Sequence, residues 1–197
     1  MSASARPPAH LSVAEFLAWN GPAGQKFQLV DGEPLAMAPA NRTHGTLQSE
    51  LAWLLTSHFR ATGAPCVAVT EPGIVPRALA ANNVRIPDLA VTCSRYDSEE
   101  ATLSDPILIV EILSPSNAAE TWTNIWAYTS IPSVHEILVL HTVSIAADLL
   151  RRGPDGNWPE VPEHLAAGDL ALQSIALTVP LAALYRTTRL ARPAADG

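Results

Sequence analysis

Two apolar runs that each carry one carboxylate constrain this chain more than any other feature. Ile86-Pro87-Asp88-Leu89-Ala90-Val91 holds the first, and Ile107-Leu108-Ile109-Val110-Glu111-Ile112-Leu113 the second. Apolar runs of this length read as strands buried on both faces. A lone ionised carboxylate inside such a strand is expensive to bury. Two of them on consecutive, adjacent strands can share that cost by flanking one cation, and hard ions such as Mg²⁺ take one or two protein carboxylates. The alternative is structural: two acids at strand ends, capped by backbone or by an arginine such as Arg85. The residues alone leave both readings open.

The rest of the chain supplies a setting for these strands. Ser12-Val13-Ala14-Glu15 has capping-box spacing and predicts a short helix to about Trp19. Residues 27–30 and 33–37 flank Asp31-Gly32 and predict a hairpin, with Pro34 placing the second strand at an edge. Leu47, Leu51, Leu54, Leu55 and Phe59 recur at helical spacing and predict a helix from about His44 to Arg60. Strands are expected over 66–70, at Ile74-Val75 and over 134–140, and residues 97–105 form a polar loop. Ser114-Pro115-Ser116-Asn117 offers a cap for a helix over 118–129. A hairpin starting at Ser144-Ile145 turns at Gly153-Pro154-Asp155-Gly156. A last strand region covers 169–179, and a short helix over 180–185 has Pro at its first position. Helices flanking a mixed sheet imply an α/β (α+β mixed) class. One domain over 11–190 is expected, with loose tails at 1–10 and 191–197.

Composition narrows the function classes. The formal net charge of -7 argues against broad electrostatic binding of nucleic acid, though not against a nuclease that holds one phosphate with a metal ion. Charged residues make up only 16% of the chain, so much of it should be buried or paired with another subunit, and with the aromatic-rich stretch Trp122 to Tyr128 this leads to the expectation of a homodimer. No apolar run is long enough to span a bilayer, so a cytoplasmic protein without a membrane partner is expected. Cys66 and Cys93 both lie in strand-like stretches and read as two buried thiols rather than a disulfide. No His/Cys spacing suggests a zinc site. Lys26 is the only lysine.

Several motifs occur in a telling order: Leu29-Val30-Asp31-Gly32-Glu33, His44 opening the first long helix, Pro87-Asp88, Val110-Glu111-Ile112-Leu113-Ser114-Pro115-Ser116, Tyr128 and Ile131-Pro132-Ser133. Gly156-Asn157-Trp158 and Leu184-Tyr185 follow them. In this order the chain resembles the Uma-two family of restriction-endonuclease-like proteins over about residues 12–186. The resemblance implies a PD-(D/E)xK nuclease fold, often dimeric. It also implies Mg²⁺-dependent (or Mn²⁺-dependent) endonuclease chemistry on nucleic acid, with Asp88 and Glu111 as the motif carboxylates and metal ligands. The motif lysine two residues after the glutamate is Leu113 here. The position four before the tyrosine, where this family commonly carries its lysine, is Asn124. Glu120 matches a carboxylate one turn earlier, and Gln28 stands where the family often has glutamate. The resemblance therefore implies weak or degenerate cleavage through Asp88, Glu111 and Asn124. The alternatives are a catalytically inactive nuclease-fold module for binding or regulation, and an unrelated β-rich dimer whose two acids are structural.

Four further positions carry chemistry. Glu71 follows a strand and is a candidate third oxygen ligand, or simply a solvated acid. His44 sits at a helix start, suited to touch phosphate or move a proton, or to bond the preceding loop. Lys26 reads as a surface lysine before a substitute cation. Trp122 and Trp126, one helical turn apart, read as core or dimer contacts.

Overall fold

The computed structural model describes residues 10–95 and 100–191. Apart from His10 and Ala191, the expected tails lie outside these residues, as do positions 97–99 of the polar loop.

The chain opens with helix α1 (Val13–Ala18), and Ser12 and Glu15 form the expected capping box. Strands β1 (Phe27–Val30) and β2 (Glu33–Ala36) pair around Asp31-Gly32. Both turn residues have positive φ, 49° and 86°, which an aspartate tolerates and a glycine adopts without cost. Pro34 is on the outer strand, and the free side of β1 exchanges hydrogen bonds with Val84 through Leu29.

Helix α2 (Arg42–Thr62) buries Leu47, Leu51, Leu55 and Phe59 on one face, each worth about 1.5–3 kcal/mol of transfer free energy. Asn41 caps its start, and Gly63, at φ 71°, ends it. The central sheet has the order β3-β4-β5-β6-β7-β8. Its strands are β3 (Val67–Thr70), β4 (Leu89–Thr92), β5 (Pro106–Leu113), β6 (Glu136–His141), β7 (Ala147–Arg151) and β8 (Glu163–Leu165). Only β5 and β6 run parallel; helix α3 (Ala118–Tyr128) makes the crossover between them. Strands β4, β5 and β6 are almost wholly buried, as their unbroken apolar runs require. A second hairpin, β9 (Asp169–Leu172) with β10 (Leu177–Pro180), precedes a 3₁₀ helix over Leu181–Tyr185.

The sheet separates two cores. On one face Leu108, Val110, Leu138, Leu140 and Leu149 meet α2 and the C-terminal elements. On the other face Ile109, Ile137, Val139 and Leu150 meet Ile125 and Tyr128 of α3.

Several expectations need correction. Asp88 lies just outside its strand, which begins at Leu89. Ile74 forms only an isolated bridge to Arg85, because Pro72 and Pro76 on either side have no N–H to donate to a ladder. The β7 to β8 link is a long connection, and Gly153–Gly156 is a turn within it. Pro180 precedes the last helical turn instead of opening it. Cys66 and Cys93 are disulfide-bonded. Val67 pairs with Thr92 across β3 and β4, so the next residues out face one another with Cα atoms 4.0 Å apart. Disulfides are rare in a reducing compartment, so the bond lends no support to the expected cytoplasmic location. Among the described residues no helix is long and apolar enough to cross a membrane.

Candidate active site

Asp88 and Glu111 meet because β4 and β5 are antiparallel neighbours. Leu89 pairs with Val110 at the end of the ladder, so Asp88, one residue beyond it, lies beside Glu111. Both line a cavity of about 600 Å³ together with Lys26, Gln28, His44 and Glu71, and with Glu120 and Asn124 of α3.

Local structure holds Asp88 closely. One carboxylate oxygen accepts the peptide N–H of Ile112 at 2.6 Å, and the other faces His44 Nε2 at 2.7 Å. Its carbonyl accepts from Gln48 Nε2 and from the peptide N–H of Glu71. His44 can reach Asp88 because Asn41 fixes the first turn of α2, its Oδ1 accepting from the His44 N–H at 3.0 Å.

Glu111 is buried, and Tyr128 donates a hydrogen bond to it at 3.0 Å. Burial raises its pKa well above the usual carboxylate range, and the negative charge of Asp88 raises it further. The Tyr128 hydrogen bond only partly offsets this. Burial beside Glu111 likewise pushes the tyrosine hydroxyl up.

Asn124 takes part in a directed chain of side chains. Arg85 Nη1 donates to its Oδ1 at 3.1 Å, its Nδ2 donates to Gln28 Oε1 at 3.2 Å, and Gln28 Nε2 donates to Glu120 Oε1 at 2.6 Å. A guanidinium only donates and a carboxylate only accepts, so the two ends set the orientation of both amides. Arg85 is buried, which lowers its pKa, and its Nε has no partner.

Asp88, Glu111, His44, Asn124 and Glu71 thus border one cavity. Glu71, held at φ 51°, is ion-paired to Lys26. It does not gather with Asp88 and Glu111 as a three-ligand set. Lys26 precedes β1 and is exposed, as the surface reading expected, and it stands at the rim of the same cavity. Trp122 packs against the α3-side core, and Trp126 is 48% exposed.

Sequence reasoning missed Arg85 as the partner of Asn124, and it used Tyr128 only as a family marker. The signal for the second was available: a tyrosine one helix after a buried glutamate is a natural donor to it. One further group of ligating side chains had no sign in the His/Cys spacing. Among the described residues, His141, Asp148 and His164 offer ligand atoms within 4.8 Å of one another.

The donor set at Asp88 and Glu111 fits a hard divalent cation. Two carboxylates stand side by side, and burial together with the charge of Asp88 raises the cost of ionising Glu111, which a bound cation would relieve.

No curated protein sequence matches the chain significantly. Solved structures that match include a putative nuclease of the DUF820 group from Anabaena variabilis. It shares 18% identity at a TM-score of 0.71, with 89% of this chain and 97% of that one covered. That likeness establishes the fold as restriction-endonuclease-like. The family described as "Uma2: Putative restriction endonuclease" matches residues 13–182, well over half of the sequence, and the chain belongs to it.

Proposed function

We propose that this protein is a Mg²⁺- or Mn²⁺-dependent endonuclease that hydrolyses phosphodiester bonds slowly, with the ion held by Asp88 and Glu111. The observation that carries the reading is the carboxylate pair at the end of the β4–β5 ladder, opening into one polar cavity in a nuclease family. When bound there, a divalent cation supplies Lewis-acid chemistry at phosphoryl oxygens. The chain's own groups do the rest. His44, whose Nε2 lies 2.7 Å from Asp88, takes or returns a proton in this reading. Lys26, at the exposed edge of the cavity and paired there with Glu71, offers charge to a phosphate. Asn124 orients groups in the cavity but adds no charge, and Arg85, which donates to it, is not among the residues that line the cavity.

Divalent-metal titration with single- and double-stranded DNA and RNA tests the proposal. Slow, metal-dependent cleavage that disappears in Asp88→Ala is expected. Asn124→Lys should raise the rate by about 10² to 10³-fold, while costing about 1–3 kcal/mol of stability because Arg85 and Gln28 lose their partner. Asp88→Ala in that background should remove the gain. Cleavage that survives Asp88→Ala overturns the site. Fast wild-type cleavage that Asn124→Lys does not improve overturns the account of Asn124.

A second reading, a non-catalytic binding or regulatory module, is favoured by one observation: groups of the chain already satisfy both carboxylates. Metal binding without cleavage of any of these substrates is its expected result. Both readings include a homodimer, supported by the exposed Trp126 on α3, and a dimer mass by light scattering is the expected measurement.

A further inference from the structure

A second group of ligating side chains lies away from this cavity. His141 ends β6, Asp148 is in β7 and His164 is in β8. Register places them together. Val139 pairs with Asp148 and Asp148 with His164, while His141 lies two residues beyond Val139. Alternate residues of a strand share a face, so all three project from the same side of the sheet. Glu111 pairs with Val139 and projects from that side as well. Two strand spacings, about 10 Å, separate the Glu111 strand from the Asp148 strand.

The side chains point inward at one another. His141 Nε2 lies 2.8 Å from one oxygen of Asp148, and His164 Nδ1 lies 2.6 Å from the other. The two rings meet nearly edge-on, at 84°. The carboxylate is 13% exposed and His141 19%, whereas His164 is 59% exposed. One side of the cluster is therefore walled by the sheet, and the other is open to an incoming ion and a further ligand.

We propose that His141, Asp148 and His164 form a binding site for a divalent first-row transition ion of the zinc class, separate from the Asp88–Glu111 cavity. Two imidazoles and one carboxylate suit such ions, whereas Mg²⁺ prefers oxygen alone. Ligands at ~2.1 Å around a tetrahedral ion stand about 3.4 Å apart. The three donors already lie within 4.8 Å of one another, so only small side-chain rotations are needed. Three neighbouring hydrogen-bonded strands hold the donors at fixed spacing, which limits the ordering cost of binding. The ion ties the three-residue β8, at the edge of the sheet, to β6 and β7. Without an ion, the same groups form only a hydrogen-bonded His–Asp–His set.

The test uses the full chain, free of any histidine tag and stripped with chelator, in the Asp88→Ala, Glu111→Gln background. That background keeps the first cavity's acids out of the measurement, so the result stands apart from the nuclease reading. Calorimetric titration with ZnCl₂ should give one ion per chain, and Co²⁺ should give the visible absorption of a tetrahedral nitrogen–oxygen site. MgCl₂ should give no heat from this cluster. His164→Ala and Asp148→Asn should each weaken Zn²⁺ by at least about 10- to 100-fold. Zn²⁺ should raise the melting temperature of the parent but not of His164→Ala. His164 is exposed, so its variant remains folded even if His141→Ala does not. No stoichiometric Zn²⁺ binding, or an affinity that His164→Ala leaves unchanged, overturns the proposal.

Discussion

Glu111 shows how one residue sets a pH dependence for the whole chain. Its carboxyl is buried beside a second carboxylate, and its folded-state pKa is raised above the ordinary 4.5. Between the ordinary and the raised value the folded state therefore holds more protons than the unfolded state. Stability is fully present below the ordinary value and falls as pH rises through the raised one. Glu111→Gln keeps an oxygen to accept from Tyr128 and removes the charge. We expect this variant to be more stable than the parent at pH 8, by about 1–3 kcal/mol in the absence of divalent ions. The advantage should shrink as pH is lowered toward the ordinary carboxylate range, where the parent is protonated too. Urea denaturation at several pH values in chelator measures it; parallel curves for the two proteins would contradict the assignment.

At the scale of elements, the start of α2 links helix stability to the cavity. Asn41 caps the helix, and the amide it accepts from belongs to His44, whose ring reaches Asp88. Asn41→Ala should cost about 1 kcal/mol of stability. Amide exchange over residues 42–45 should quicken more than over the rest of the helix, because the lost bond acts on the first turn. Uniform change along α2 would show that the cap does not position His44. Helix α3 behaves differently. Asn117 makes no side-chain cap; its Oδ1 turns back to accept from the N–H and Oγ of Ser114. The Ser-Pro-Ser-Asn segment thus shapes the exit from β5 rather than the entry to α3.

At the scale of the molecule, the Cys66–Cys93 disulfide closes the stretch that carries Glu71, Arg85 and Asp88. The cysteines are 27 residues apart in sequence, and the loop-entropy account puts the effect of closing such a ring at about 3.5 kcal/mol. Reduction with dithiothreitol should lower the urea midpoint accordingly, and Cys66→Ser should reproduce the reduced curve. A midpoint indifferent to reductant would contradict the pairing.

The buried strands, the Asp-Gly hairpin, the capping box and the stripe of α2 were legible because each follows from local periodicity or turn chemistry. The Asp88–Glu111 neighbourhood was legible too, since strands consecutive in the chain commonly lie side by side in a sheet. What the sequence could not carry was the pairing of groups far apart along the chain. Arg85 meets Asn124 only because α3 crosses over the sheet, and Gln28 reaches Glu120 only because the first hairpin folds back onto it. The disulfide depends on the register of β3 against β4, and His141, Asp148 and His164 depend on the register of three strands at the far edge. Register is set by which faces become buried when the sheet assembles, so side-chain spacing across strands is a property of tertiary structure and not of any segment read alone.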